Sequence, residues 1–450
     1  MRMRTTTTLV SLITLLAVIA GVRAEVPKRA AGPALIYTST AHYDGLAWLN
    51  GGERFPAGAT LMVRSGGTTR ALAEGWASTA DASISFDGTK VLFAGKKAVT
   101  DRWQIWEATI AGGEATQLTR CDDDCVKPFY LPERRIAYAR KIDGVFQIEA
   151  AAMGGGTLRL TYAPSDAMPT DVLRDGRILF EAAFPLGEGK QAELYTVYSD
   201  GSGVESYRCD HGTSRYAGQQ AASGDVMFAH EAGMGRFTSA LAHEAGVVAP
   251  VGEYAGEMVE ASEGRWIVPW RSDSAKHFSL QEWSTTTRGL RLIAADAKTD
   301  LVEPRIVKAR EVPNRHPSGL HDWDGANVLC LNAYTSKLKI APGSVDSVQV
   351  YALRDGRTEL LGQARVEEDG SFFLHVPADR PLQMELLDKA GKTVQREHGW
   401  FWMRRGEQRV CVGCHAGPER APENAVPQVV VKSTEPADMT RQAPLSKGGR

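Results

Sequence analysis

The sequence predicts an all-β chain: a six-bladed β-propeller, then a small β-sandwich, then a C-terminal segment that carries a cofactor-binding motif. Three observations carry this reading. A strand–turn–strand unit recurs at a near-constant spacing from about Ala34 to about Asp300. The pattern changes after a Pro/His-rich connector at Val312–Pro317. The composition is ordinary for a globular chain, with 43% hydrophobic and 24% charged residues among 450. Such proportions suit two or three domains at about 150 residues each, although one propeller uses most of that length by itself. A formal net charge of −2 offers no basic surface to nucleic acid and no charge block that reads as a tail.

The N-terminus comes first in chain order. Arg2 and Arg4 precede an apolar run from Leu9 to Ala20, and Val22 and Ala24 supply a small-x-small end. That is the form of a secretory signal peptide over residues 1–24. The run falls short of the roughly 20 residues that a spanning helix needs. Removing the leader takes Arg2, Arg4 and Arg23 from the 52 basic residues, leaving 49 against 54 acidic ones. The expectation is a periplasmic or secreted protein with no membrane span after signal removal.

Residues 25–310 form the expected propeller. Ser83–Phe93 shows the unit: two alternating apolar runs around Asp87-Gly88, a strong short-range hairpin signal. Equivalent turns fall at Arg134, Gly176, Gly224 and Gly264, giving steps of 46, 42, 48 and 40 from Gly88 onward. A second hairpin trails the first three, as in Gln104-Ile105-Trp106 followed by Gly112-Gly113. Four short strands per unit at this period are a propeller blade, because one such sheet cannot bury both faces alone. Ala34–Ser39 is taken as the matching strand of an earlier, irregular blade, which brings the count to six. The units resemble TolB-like and WD40-like repeats, a likeness of scaffold that leaves function open.

Residues 325–395 form the expected sandwich. Val328–Tyr334, Val348–Leu353, Ser371–Val376 and Leu382–Asp388 read as strands. Turns at Asp355-Gly356, Asp369-Gly370 and Ala390-Gly391 separate them. From Pro418 onward Pro, Ala, Glu and polar residues dominate, and residues 431–450 are expected to be a disordered tail.

The segment at 396–430 holds the chemistry. Cys411-Val412-Gly413-Cys414-His415 has the C-x-x-C-H spacing. That spacing lets two thiols form thioethers to the vinyl groups of one haem c while the adjacent His reaches iron. The alternatives are a disulfide, a redox dithiol or half a zinc site. A redox pair belongs at a helix start in a βαβ setting, and a zinc site wants a second Cys or His pair nearby. One covalent haem is therefore expected, with Cys411 and Cys414 as anchors and His415 as proximal iron ligand. Candidate distal ligands are His398, Met403 and His321, with His316 and His375 further off. A Met there raises the potential, a His lowers it, and an absent ligand leaves open iron. The Trp400 and Trp402 pair reads as alternating strand packing against haem or sandwich.

The succession Asp369–Pro381, Leu386–Lys392, Trp400-Phe401-Trp402, Gly406-Glu407 and Cys411–His415 resembles the C-terminal part of the hydrazine synthase alpha subunit family. The resemblance implies a six-bladed propeller ahead of the haem segment and a periplasmic-type haem c protein. It does not hand over the synthase activity, because that enzyme is multi-haem and multi-subunit and this chain has a single motif. In the family a tyrosine four positions after the motif His ligates iron while that His turns to zinc. Here the position is Glu419, which favours plain His415–iron coordination over zinc at His415.

Of the remaining cysteines, Cys121 and Cys125 flank Asp122-Asp123-Asp124. A short-loop disulfide is the first reading in an oxidising compartment, with free thiols or a calcium-type site on the aspartates as alternatives. Cys209-Asp210-His211 opens a later blade, and Cys330 lies in a sandwich strand as a buried small apolar residue. Three functions follow as expectations: electron transfer with a periplasmic donor or acceptor, a haem oxidoreductase acting on a small nitrogen or oxygen compound, and a propeller binding module with a structural haem.

Overall fold

A computed structural model describes residues 34–440 apart from 187–188, 209–212, 231–232, 398, 415–419 and 422–423. The leader, the Cys209–His211 group, His398 and His415 lie outside the described residues.

Six antiparallel sheets follow one another from Leu35 to Ile306. Each packs on the next, and the sixth returns to the first, so the ring is closed. The repeating unit is clear in the second sheet, built from Ser78–Ile84, Lys90–Lys96, Gln104–Thr109 and Thr116–Gln117. Its innermost strand is buried at every position, because neighbouring sheets cover both of its faces. The outermost strand is exposed or half-buried. The turns read from the sequence sit where positive φ is required: Gly88 at 75°, Arg134 at 56°, Gly176 at 90°, Gly224 at 98° and Gly264 at 69°.

The first sheet departs from the expected repeat. Leu35–Thr40 is not the innermost strand of its sheet. Asp300–Ile306 takes that place, in the order Asp300–Ile306, Leu35–Thr40, Thr60–Ser65, Thr68–Ala71. The first sheet is thus assembled from both ends of the propeller, which is why its N-terminal part looked irregular.

The innermost strands share a second feature. Their pairing shifts at Ala80/Ser83, Val126/Phe129 and Ile36/Thr38, and Asp81, Lys127 and Glu303 take left-handed φ values of 60°, 53° and 53° there. A bulge re-aims one side chain at the expense of one ladder position. Here the three side chains meet at the centre of the ring.

The sandwich has two four-stranded sheets. One runs Gln408–Cys411, Gly325–Cys330, Phe372–Pro377, Ala437–Asp438, and the other Arg357–Arg365, Ser347–Arg354, Leu382–Leu387, Thr393–Arg396. Their inner faces bury Val328, Val348, Val350, Leu374, Val376 and Leu386 in one core. Two boundaries differ from expectation. The segment from 396 is no separate unit, because Gln408–Cys411 is an edge strand of the sandwich. The expected loose tail is folded as far as residue 440: Ala437–Asp438 pairs with Phe372–Pro377, and Met439 is 3% exposed inside the sandwich core.

Trp402 and its neighbours fix the sandwich to the propeller. The Trp402 indole is buried among the apolar residues of the third and fourth sheets, and its Nε1 donates to the Leu160 carbonyl at 3.2 Å. Arg404 donates to the Arg159 carbonyl and the Tyr162 hydroxyl. Glu407 accepts from the backbone N–H of Gly203. Trp402 therefore packs on the propeller, Trp400 lines a cavity beside it with Phe180 and Tyr195, and Phe401 between them faces the sandwich core. In the connector, His316 stacks on Tyr198 at 3.8 Å.

Candidate functional site: a thiol pair at the sandwich edge

Cys411 ends the edge strand Gln408–Cys411, which lies parallel to Gly325–Cys330 with Cys330 opposite Cys411. The Cys411 carbonyl accepts from the Leu331 N–H at 2.9 Å, which fixes where the strand stops. The chain then turns through Val412-Gly413 to Cys414. Gly413 has no room for a side chain: a Cβ there would sit 2.0 Å from the Thr335 carbonyl oxygen and 2.6 Å from that of Asn332. The turn it touches is held by Asn332, whose Oδ1 accepts from Tyr334 N–H and whose carbonyl accepts from Thr335 N–H. The C-x-x-C spacing is thereby pressed onto a preformed ledge.

Both thiols are half-buried against the sandwich core and neither is bridged. Burial pushes the Cys414 thiol up to about 12, with the nearby Glu397 carboxylate adding to the shift. Burial raises Cys411 as well, with Arg409 pulling the other way. A redox dithiol needs a lowered pKa at a helix start. This pair has raised values at a strand end, so its environment suits thiols kept protonated until they are consumed. The donor set of two free, adjacent thiols on a tight turn fits covalent haem attachment.

The remaining candidates are scattered. His321 stacks on Trp323 at 4.6 Å, and its backbone N–H donates to the Gly406 carbonyl. His375 pairs through Nδ1 with the Asn327 amide oxygen at 2.7 Å. Met403 is fully buried in the sandwich core. Glu397, next to His398 in the chain, is close enough to both thiols to raise them electrostatically. Cys121 and Cys125 form a disulfide. The aspartates between them are engaged locally, Asp124 accepting from Trp103 N–H and Asp123 facing Arg102. Among the described residues no group of three or more His, Cys, Asp or Glu is placed to hold a metal ion.

Sequence reasoning missed a second polar centre, at the axis of the propeller. Arg54 donates to Asp81 at 2.8 Å and to Glu303 at 2.7 Å. Glu303 also accepts from Thr38, from the Tyr43 hydroxyl and from the Asp81 backbone N–H. Lys127 and Arg305 both pair with Glu257. Burial and the adjacent Asp81 and Glu257 carboxylates push Glu303 up to about 7. Burial also opposes ionisation of Glu257, but Lys127 and Arg305 outweigh it and hold that carboxyl below the usual range.

The family description "Hydrazine synthase alpha subunit middle domain" matches residues 330–416, from Cys330 through the whole C-x-x-C-H motif. Hydrazine synthase subunit alpha of Kuenenia stuttgartiensis is 38% identical over 61 residues. The chain is hydrazine synthase alpha-like. The sequence match spans 14% of this chain and 8% of that relative's length. The solved hydrazine synthase of Kuenenia stuttgartiensis superposes with a TM-score of 0.77 at 14% identity, covering 89% of this chain and 72% of that one. At that identity the superposition speaks for fold alone, and it extends the likeness from the sandwich to the propeller. The β-propeller domain of the Trilobed protease from Pyrococcus furiosus is also similar, at a TM-score of 0.37 and 12% identity, covering 53% of this chain and 77% of that one.

Proposed function

We propose that this alpha-like chain is an exported redox protein with one covalent haem c, anchored by Cys411 and Cys414, with His415 as the proximal iron ligand. The observation that carries the proposal is the pair of unbridged thiols on the Gly413 turn, inside the residues that match the family's middle domain. Bound haem supplies a one-electron couple. The chain's own residues hold it: the ledge at 332–335 sets the turn, and the edge strand presents the thiols beside a folded core. Export rests on the leader at 1–24 and suits the disulfide at Cys121–Cys125. The redox partner is then a periplasmic electron donor or acceptor, and the propeller is the surface on which it docks.

The family match favours a second reading, an oxidoreductase acting on a small nitrogen or oxygen compound at open iron. One spectrum separates the two. Electron transfer at a six-coordinate haem predicts a reduced, low-spin spectrum unchanged by carbon monoxide, whereas a shifted Soret band on carbon monoxide addition hands the case to the enzyme. Cys414→Ala should abolish covalent haem staining on a denaturing gel, and full staining in that variant would refute the attachment itself.

A further inference from the structure

Among the described residues, Cys330 is the cysteine used by neither the disulfide nor the C-x-x-C-H motif. It lies directly opposite Cys411 on the neighbouring parallel strand. Residues in register on parallel strands point to the same face, and here that face is the sandwich core, which contains Cys330 and packs against Cys411. Neighbouring strands are about 4.8 Å apart, inside the Cα separation of about 4.4–6.8 Å that a disulfide spans. The strand carrying Cys411 has four residues and is bonded on one side only, so it has the freedom to adjust toward its neighbour.

We infer that Cys330 competes for Cys411: before haem is attached, oxidation joins the two as a Cys330–Cys411 disulfide and withholds one anchor. Two S–H bonds break and one S–S bond forms. Two electrons and two protons pass to a disulfide oxidant such as oxidised glutathione, which leaves as two thiols. Cys330 is 3% exposed. The bond therefore forms while the edge strand is still settling, and once covered it is slow to reduce. The consequence for haem rests on the proposed function, but the bond itself does not.

The test uses the full chain made without haem and refolded in mixed oxidised and reduced glutathione. Free thiols are blocked with iodoacetamide, and a tryptic digest is mapped by mass spectrometry without reduction. The expected species links peptide 316–337 to peptide 410–420 and carries the label on Cys414. A label on Cys330, or a 410–420 peptide closed on itself through Cys411 and Cys414, overturns the inference. In cells that attach haem, Cys330→Ser (or Cys330→Ala if serine unfolds the core) should raise covalent haem at least twofold under oxidising conditions and match the parent with dithiothreitol present. Equal incorporation under both conditions also overturns it. No incorporation in either protein at any redox poise removes the haem reading and leaves the peptide map to stand alone.

Discussion

Gly413 decides the geometry of the motif. Its neighbours are backbone oxygens of Thr335 and Asn332, which cannot swing aside as a flexible side chain would. Gly413→Ala therefore has to displace either the 332–335 turn or the end of the edge strand. Overpacking of this kind costs about 1–3 kcal/mol. The expected outcome is a lower midpoint in urea unfolding and loss of covalent haem together. An unchanged midpoint would mean the turn has slack that the contacts deny. The cysteines of this motif were legible from sequence because five adjacent residues carry the whole pattern. The ledge was not, since Asn332 and Thr335 lie about 80 positions away and reach Gly413 only through strand pairing. The axial charges were illegible for the same reason. Arg54, Asp81, Lys127, Glu257 and Glu303 are unremarked polar residues until the ring closes.

At the level of the element, the innermost strands give up regular pairing to put charge at the axis, and that has a measurable pH dependence. Arg54, Thr38, Tyr43 and the Asp81 N–H face Glu303 directly, with Lys127 and Glu257 beyond them. A carboxyl with a folded-state pKa near 7, against 4.5 unfolded, binds its proton more tightly in the native state. Its contribution is complete below pH 4.5 and is lost as pH rises through 7. The shift corresponds to an upper bound of about 3 kcal/mol. Glu257 works in the opposite sense, because its lowered pKa gives stability that is lost as pH falls below 4.5. Urea unfolding between pH 5 and 8 should show the parent losing stability with rising pH and Glu303→Gln losing markedly less. Parallel slopes would assign the proton elsewhere. The hairpins around this axis were readable, because Asp-Gly and Ser-Gly turns mark them locally. The closing strand Asp300–Ile306 was not assigned its partner, because Leu35–Thr40 lies some 265 positions away and no local pattern couples two strands over that distance.

For the whole molecule, the question is whether propeller and sandwich behave as one body. The residues before the thiol pair argue that they do. Between Phe401, which packs in the sandwich, and Cys411, the chain plants Trp402 in the propeller, bonds Arg404 to the Arg159 carbonyl and ties Glu407 to Gly203. Glu407 also accepts from the Arg404 N–H and from Arg409, so one carboxylate joins the propeller, the docking loop and the edge strand. A domain joint held by one large aromatic and a few charge-assisted hydrogen bonds is specific but narrow. Removing the aromatic should therefore split the transition rather than merely lower it. Trp402→Ala forfeits about 3–5 kcal/mol of packing, all of it at the joint. Calorimetry of the parent should show one endotherm, and that of the variant two, with the sandwich unfolding separately from the propeller. The same substitution should leave the Gly413 turn intact and covalent haem at the parental level, because the ledge at 332–335 belongs to the sandwich alone. One endotherm that moves down without dividing would show that contacts beyond Trp402, such as His316 on Tyr198, are enough to hold the two units together.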